Sequence, residues 1–346
     1  MWIAVDAMGG DHAPRAVVRG AFRAAREDRT SIYLVGEESV LRQELSSLGP
    51  GAGNRLEIVH ADQVVGMDEP AISPIRKKRR SSIRRCGELV REGRAQGMVS
   101  AGNTGAAMIV AKMVIGTVRG VDRPALAAIL PNGTGRTVLL DVGANVDTRP
   151  GHLRQFAVMG HFYAQELIGT RAPKVGLLSI GEEEGKGTDL TREVFKVLQT
   201  TGLNFVGNVE GSDVFNGAVD VIVCDGFVGN AVLKSAESLA QLLGRMMREE
   251  LVKGVRTRLG YLMAKPAFDN LRRRTDYREY GAAPLLGVEG GCFIAHGRSN
   301  ERAVLSAIRR AVEFCGANLH HKIRDKIAEL HSQEARLLGD REEAGA

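Results

Sequence analysis

IAVDAMGGDHAP (3–14), GMVSAGNTG (97–105), TVLLDVGAN (137–145), KVGLLSIGEEEGKGTDL (174–190) and DVIVCDGFVGN (220–230) repeat one design. In each, a short apolar run ends in a small or polar residue and breaks into a glycine-rich loop, with an asparagine or an acid in most of the loops. Short apolar runs bounded by turn residues read as buried strands. Their alternation with helical periodicity predicts an α/β fold with a mainly parallel, doubly wound sheet. In such sheets the strand ends line the crevice where ligands bind. Glycine lets backbone approach a ligand closely, and a following helix start points N–H groups at anions. The five loops therefore predict the rim of one site, suited to a phosphate-bearing substrate.

Outward from these loops, SIYLVG (31–36), LEIV (56–59), NFVG (204–207) and CFIAHG (292–297) read as further strands. Helices are expected near 105–116, 150–168 and 189–199, from Ser299 or Asn300 onward, and in a last pattern to about 338. Ser73-Pro74 opens a helix that is expected to carry the basic run that follows it. Asn132-Gly133, between ALAAIL (125–130) and TVLLD (137–141), is a hairpin signal and predicts an antiparallel pair at an edge of the sheet. Between 227 and about 263, Leu239, Leu242, Leu243, Met246, Met247, Leu251, Val255, Leu259, Leu262 and Met263 recur at helical spacing, opposite a basic face. With no internal repeat or low-complexity linker, residues 1–338 read as a single α/β catalytic domain. It carries a long amphipathic helical segment at about 236–275, and residues 339–346 read as a frayed tail.

At 346 residues and 44% apolar content, the chain suits one large buried core. The N-terminus lacks a positive n-region and an h-region, and no run of 18 apolar residues occurs, so a cytoplasmic protein is expected. Cys86, Cys224, Cys292 and Cys315 are scattered without CxxC spacing, which favours reduced thiols over disulfides or zinc. The net charge of +6 is concentrated: residues 76–85 carry seven basic side chains and no acid, and residues 245–274 carry nine basic and three acidic. The rest of the chain is thus mildly acidic. Two basic patches on an acidic body suit an acidic partner or surface, and with only 5% aromatic residues a nucleic-acid partner is not expected.

Lys186 stands between two glycines just beyond a strand end, placed to aim an ammonium into the crevice, and Thr188 or Asp189 is a candidate cap for the next helix. The GxxxxGK[ST] spacing of a nucleotide-triphosphate loop is absent. SAGNTG, DVGAN and CDGFVGN each offer an asparagine and glycine-exposed amides, suited to phosphate oxygens or to a developing oxyanion. Asp6, Asp11 and His12 lie close together. They suit proton transfer, a divalent metal, or, for Asp11 and His12, the capping of the helix near Pro14. His296 ends a strand and is either a crevice residue or a structural one. Neither a GxSxG elbow, a catalytic-type cysteine signature nor a GxGxxG fingerprint is present. The chemistry indicated is one in which phosphate itself reacts, with no covalent enzyme intermediate.

DAMGGDHAP, the Ser81-Ser82…Arg85 motif, VSAGNTGA, DVGAN, GEEEGKGTDL, VGNVEG (206–211), CDGFVGN, GAAPLLG (281–287) and AHGRSN (295–300) stand in one order, from residue 3 to about 315. This ordered set resembles the bacterial acyl-ACP:phosphate acyltransferase (PlsX) family of phospholipid synthesis. The resemblance implies conversion of acyl-acyl carrier protein and inorganic phosphate to acyl phosphate and free carrier protein. It also implies an αβα sandwich related to isopropylmalate dehydrogenases and phosphate acetyltransferases, usually a homodimer, with neither cofactor nor metal required. Lys186 and Asn230 would be catalytic. Gly10, Asp11, His12, Ser100, Asn103, Thr104, Gly105, Asn145, Gly187, Thr188 and Gly226 would line the substrate and phosphate site. Arg76, Lys77, Lys78, Arg79, Arg84 and Arg85 would dock the acidic carrier protein, with phosphate binding and an ordinary solvated helix face as rival readings. Leu251, Val255, Leu259, Leu262 and Met263 would face the inner surface of the membrane, where the product passes to a glycerol-3-phosphate acyltransferase. A dimer or core helix with snorkelling arginines fits the same pattern. Arg80 departs from the family, whose members commonly carry an acidic or amide residue there. A coenzyme A-dependent acyltransferase and a dehydrogenase of the related fold are the rival enzymes.

Overall fold

The computed structural model describes residues 1–275 and 281–344, with side chains for 1–268 and 281–333. Its strands are β1 (Trp2–Asp6), β2 (Ser31–Gly36), β3 (Leu56–His60), β4 (Gly97–Ser100), β5 (Ala125–Pro131), β6 (Arg136–Leu140), β7 (Val175–Leu178), β8 (Phe205–Val209), β9 (Val221–Val223), β10 (Ala282–Leu286) and β11 (Gly291–Ala295). They form one sheet in the order β3-β2-β1-β4-β11-β10-β5-β6-β9-β7-β8. Neighbours are parallel from β3 to β11 and again from β6 to β8. Between these blocks β10 pairs antiparallel with both β11 and β5, and β5 pairs antiparallel with β6. The two parallel blocks consequently run in opposite directions.

The helices are α1 (Arg15–Glu27), α2 (Glu38–Ser46), α3 (Ser73–Arg76), α4 (Ser82–Arg91), α5 (Thr104–Val110), α6 (Pro150–Tyr163), α7 (Asp189–Gln199), α8 (Asp213–Asn216), α9 (Gly226–Val252), α10 (Val255–Thr275), α11 (Glu301–Gly316) and α12 (Leu319–Ala344). Val17 of α1, Phe156 of α6, Val194 of α7, Ala307 of α11 and Ile323 of α12 bury against one face of the sheet. Ile83 and Leu89 of α4 and Ala106 and Val110 of α5 bury against the other. The result is the αβα sandwich expected from the alternation of strands and helices.

The hairpin at Asn132 forms, with Pro131 opposite Arg136, but it lies inside the sheet and not at an edge. Both of its strands are near-continuous apolar runs, the pattern of a strand covered on two faces, and β6 gains a second neighbour in β9. GAAPLLG, read above only as a motif, contains β10. The basic run is not carried by one helix: α3 ends at Arg76, and Ser81, extended at ψ 148°, starts α4 afresh. The long amphipathic segment is likewise two helices, α9 and α10, with a break at Lys253 and Gly254. The arginines at 272–274 belong to α10 but their side chains lie outside those described, as does the end of the tail at 345–346.

Candidate active site

Because β1, β4 and β11 are parallel neighbours, the loops that follow them lie side by side. Asp11 N donates to Gly297 O at 2.8 Å, joining the first loop to the third. The left-handed Gly10, at φ +107°, has no room for a side chain, since a Cβ there would lie 3.1 Å from Ala101 O and Gly297 O. Beneath them Asp6, 2% exposed, accepts from Ser100 Oγ at 2.6 Å, and Ser100 Oγ in turn accepts from Gly102 N at 3.1 Å. Burial pushes the Asp6 carboxyl up, while its bonds from Ser100, Ser82, Met8 and Gly9 pull it back. Asn103 caps α5 by accepting from Ala106 N at 2.9 Å, and its Nδ2 donates to Met67 O and Glu69 O, both at 2.9 Å. Its amide is thus engaged in fastening the 66–70 loop, which leaves the exposed Thr104 on the cleft, while the half-buried Gly105 lies against Ala71. Asp11 and His12 are exposed, and neither caps α1, whose N-cap Pro14 makes no side-chain bond. Among the described residues no group of three or more His, Cys, Asp or Glu side chains forms a metal-binding cluster.

The second set of loops follows β6, β9 and β7, again parallel neighbours. Asp141 is fully buried and accepts five hydrogen bonds: from Leu126 N, Gly143 N and Ala144 N on Oδ1, and from Asn145 N and Asn145 Nδ2 on Oδ2. Asn145 Nδ2 also donates to Pro124 O at 2.8 Å, so this asparagine fixes the loop with its amide nitrogen. Gly226 N donates to Asn145 O at 2.8 Å, and a Cβ on Gly229 would lie 1.9 Å from Asp141 O. Two glycines therefore let the first turn of α9 lie directly on the Asp141 loop. Asp225 caps that helix, accepting from Phe227 N and Val228 N at 2.9 Å. Asn230, one turn in, is exposed beside Gly143, whose φ of +132° suits glycine alone.

The loop after β7 carries Lys186. Thr188 caps α7 by accepting from Thr191 N at 3.2 Å. Asn208 Nδ2 donates to Glu183 O at 2.9 Å and holds the loop from below. Gly187, at φ +97°, passes so close to Thr191 and Ser179 that a Cβ would lie 2.2 Å and 2.7 Å from their hydroxyl oxygens. Lys186 is exposed, one loop beyond that of Asn230 in the strand order.

A cleft of about 310 Å³ opens where the two blocks meet. Thr104 contributes from the first set of loops, Gly143 and Asn230 from the second, and β5, β10 and the end of β11 form the floor. His296 lines it too, its Nδ1 accepting from Arg298 N at 3.1 Å. The structure thus brings Thr104, Gly143 and Asn230 to one cavity. Gly10, Asp11, His12, Ser100, Asn103, Asn145 and Gly226 lie in the loops that build its walls, and Lys186, Gly187 and Thr188 lie on the adjoining loop. The reading of the sequence missed Asp141 as the organiser of the second wall, although its place at the head of DVGAN was visible. It also missed β5 and β10 as the floor.

The sequence matches the family described as fatty acid synthesis protein over residues 1–322. The chain belongs to that family. It is 51% identical over 335 residues to a phosphate acyltransferase of Pelotomaculum thermopropionicum, covering 97% of each chain. It is 48% identical to a phosphate acyltransferase of Aquifex aeolicus, covering 93% of this chain and 95% of that one. Among solved structures, the fold resembles EutD phosphotransacetylase from Staphylococcus aureus, with a TM-score of 0.57, 16% identity and coverage of 92% of this chain and 94% of that one. A 4-hydroxythreonine-4-phosphate dehydrogenase from Klebsiella pneumoniae is similar at a TM-score of 0.52 and 12% identity, covering 91% and 99%. The family is the one that the ordered motifs implied, and these solved structures share its αβα fold.

Proposed function

We propose that this chain transfers an acyl group from acyl carrier protein to inorganic phosphate, giving acyl phosphate and free carrier protein for glycerophospholipid synthesis. The observation that carries the reading is the near full-length similarity to phosphate acyltransferases. A phosphate oxygen attacks the thioester carbonyl, the carbonyl oxygen becomes an oxyanion, and collapse breaks the C–S bond. The thiolate leaves and takes up the proton that hydrogen phosphate gives up. Phosphate is already an anionic nucleophile at neutral pH, so positioning and charge compensation are the main demands. Asn230, on the cleft, orients phosphate or donates to the oxyanion, and Lys186 offsets the negative charge shared between phosphate and thioester. Thr104, at the start of α5, lines the same cleft and offers its hydroxyl to phosphate.

For the carrier protein, Arg76, Lys77, Arg79 and Arg80 are the exposed members of the basic patch that supports docking, and Arg80 is paired with Asp62. Lys78 pairs with Glu69, Arg84 with Glu88 at 3.0 Å and Arg85 with Glu88 at 3.1 Å, so those three are partly neutralised within the chain. For the membrane, no helix among the described residues is long and apolar enough to cross it. Val255, Leu259, Leu262 and Met263 are 85%, 62%, 65% and 82% exposed, which supports interfacial contact at the inner face, beside an acyltransferase that accepts the product. We place the protein in the cytoplasm as a homodimer, working without a cofactor. The test is to incubate the protein with acyl-acyl carrier protein and phosphate and assay acyl phosphate. Lys186→Ala should stay folded and lose roughly 10²–10³-fold in kcat. Near-parental turnover in that variant would remove Lys186 from the chemistry.

A further inference from the structure

Central strands of a sheet covered by helices are normally buried on both faces. On one face of β5, Ala125 and Ala127 are fully buried and Ile129 is half-buried, and Leu286 of the paired β10 is fully buried. On the other face Leu126, Ala128 and Leu130 retain 9%, 8% and 6% exposure, Ile294 of β11 retains 6%, and Ala283 of β10 is half-buried. Leu126, Ala128, Leu130, Ala283 and Ile294 all line the cleft, so this face forms its floor between α5 and the start of α9. Leu233 of α9 forms one side of the floor, and Asn230 lies one turn nearer the Gly143 loop. At Ala128 and Ala283 the floor carries only methyl groups, so the room above it is that of larger side chains left out.

The geometry points to this floor as the seat of the acyl chain of the thioester donor, with Ala128 and Ala283 setting how much chain it accepts. The inference rests on the acyl-transfer reading above and adds the site that reading lacks. An acyl group extends apolar carbon directly from its reactive carbonyl. It therefore needs an apolar trough that adjoins the polar groups doing the chemistry, and this floor lies in one cavity with Thr104 on the α5 side and Gly143 and Asn230 on the α9 side. The whole cleft, about 310 Å³, lies at the lower end of ligand-sized cavities, so added side-chain volume on its floor is felt by the ligand.

The test compares kcat/KM for palmitoyl- and butyryl-acyl carrier protein in the parent, Ala128→Leu and Ala283→Val. Filling the floor should lower the palmitoyl-to-butyryl ratio at least tenfold in Ala128→Leu and in the same direction, less, in Ala283→Val. The ratio does not depend on the folded fraction, because unfolded chains turn over neither donor. A ratio within twofold of the parent in both variants overturns the acyl seat while leaving acyl transfer standing. Absence of acyl phosphate from both donors in the parent would instead overturn the acyl-transfer reading itself, and the acyl seat with it.

Discussion

Two buried aspartates end strands in this fold, and they answer to mutation differently. Asp141 accepts five hydrogen bonds, so Asp141→Asn turns a donor group toward N–H donors. The expected loss is ~3 kcal/mol, read as a lower urea midpoint. Asp6 accepts from Met8 N on one oxygen and from Ser100 Oγ on the other, and an asparagine can keep both contacts, its carbonyl accepting from Met8 N and its amide donating to the Ser100 hydroxyl, which can turn. Burial raises the Asp6 carboxyl, so the folded chain holds that proton more tightly than the unfolded one. The stabilisation is complete below the ordinary carboxyl value of 3.8 and is lost as pH rises through the raised value. Asp6→Asn should therefore gain on the parent between pH 4 and pH 7 in urea denaturation, and a gap that widens against the variant would refute the assignment. Gly229 is a third case, since a Cβ 1.9 Å from Asp141 O cannot be accommodated without moving backbone. Gly229→Ala should displace the first turn of α9 and lower kcat at least tenfold, with Asn230 itself intact.

Among the elements, α3 and α4 show how a charge run changes meaning on folding. In sequence, residues 76–85 are seven equal cations; in the structure Arg80 reaches Asp62 at 2.7 Å and Lys78, Arg84 and Arg85 are paired, leaving Arg76, Lys77 and Arg79 as the outward charges. Arg76→Glu with Lys77→Glu should raise KM for acyl-acyl carrier protein several-fold, more at low salt than at high, with KM for phosphate unmoved. A coenzyme A-dependent enzyme would show no such split. In α9 and α10 the heptad-like apolar residues were legible as a stripe, but the break at Lys253 and Gly254 was not, because glycine inside a helical pattern is common enough to pass. The helix caps were legible only in part. Thr188 was a candidate and accepts from Thr191 N, and Asn300, a candidate helix start, accepts from Ala303 N. Asp11 and His12 do not cap α1, and the cap of α9, Asp225, was not read.

Across the whole molecule, the four thiols report how deep the layers are. Burial pushes Cys292 and Cys315 up to about 12 and Cys86 and Cys224 well above the ordinary thiol value. Cys86, Cys224 and Cys292 are buried and should resist a thiol reagent at pH 8 until the chain unfolds, the half-buried Cys315 should react first, and rapid labelling of more than one thiol in the native protein would contradict the burial. The αβα class, the strand-to-glycine loops, the Thr188 cap and the family motifs follow from the sequence alone, because apolar periodicity and turn chemistry act over a few residues. The lateral order of strands does not, since hydrogen bonds between strands are blind to distance along the chain. Nothing in ALAAIL or TVLLD states that they lie at the seam of two opposed parallel blocks. Tertiary structure alone decided that the five loops form two walls instead of one rim, that Asn103 and Asn145 fasten those walls, and that an apolar floor of β5 and β10 lies between them. Each of these depends on which strands become neighbours, a choice made by packing across the whole core.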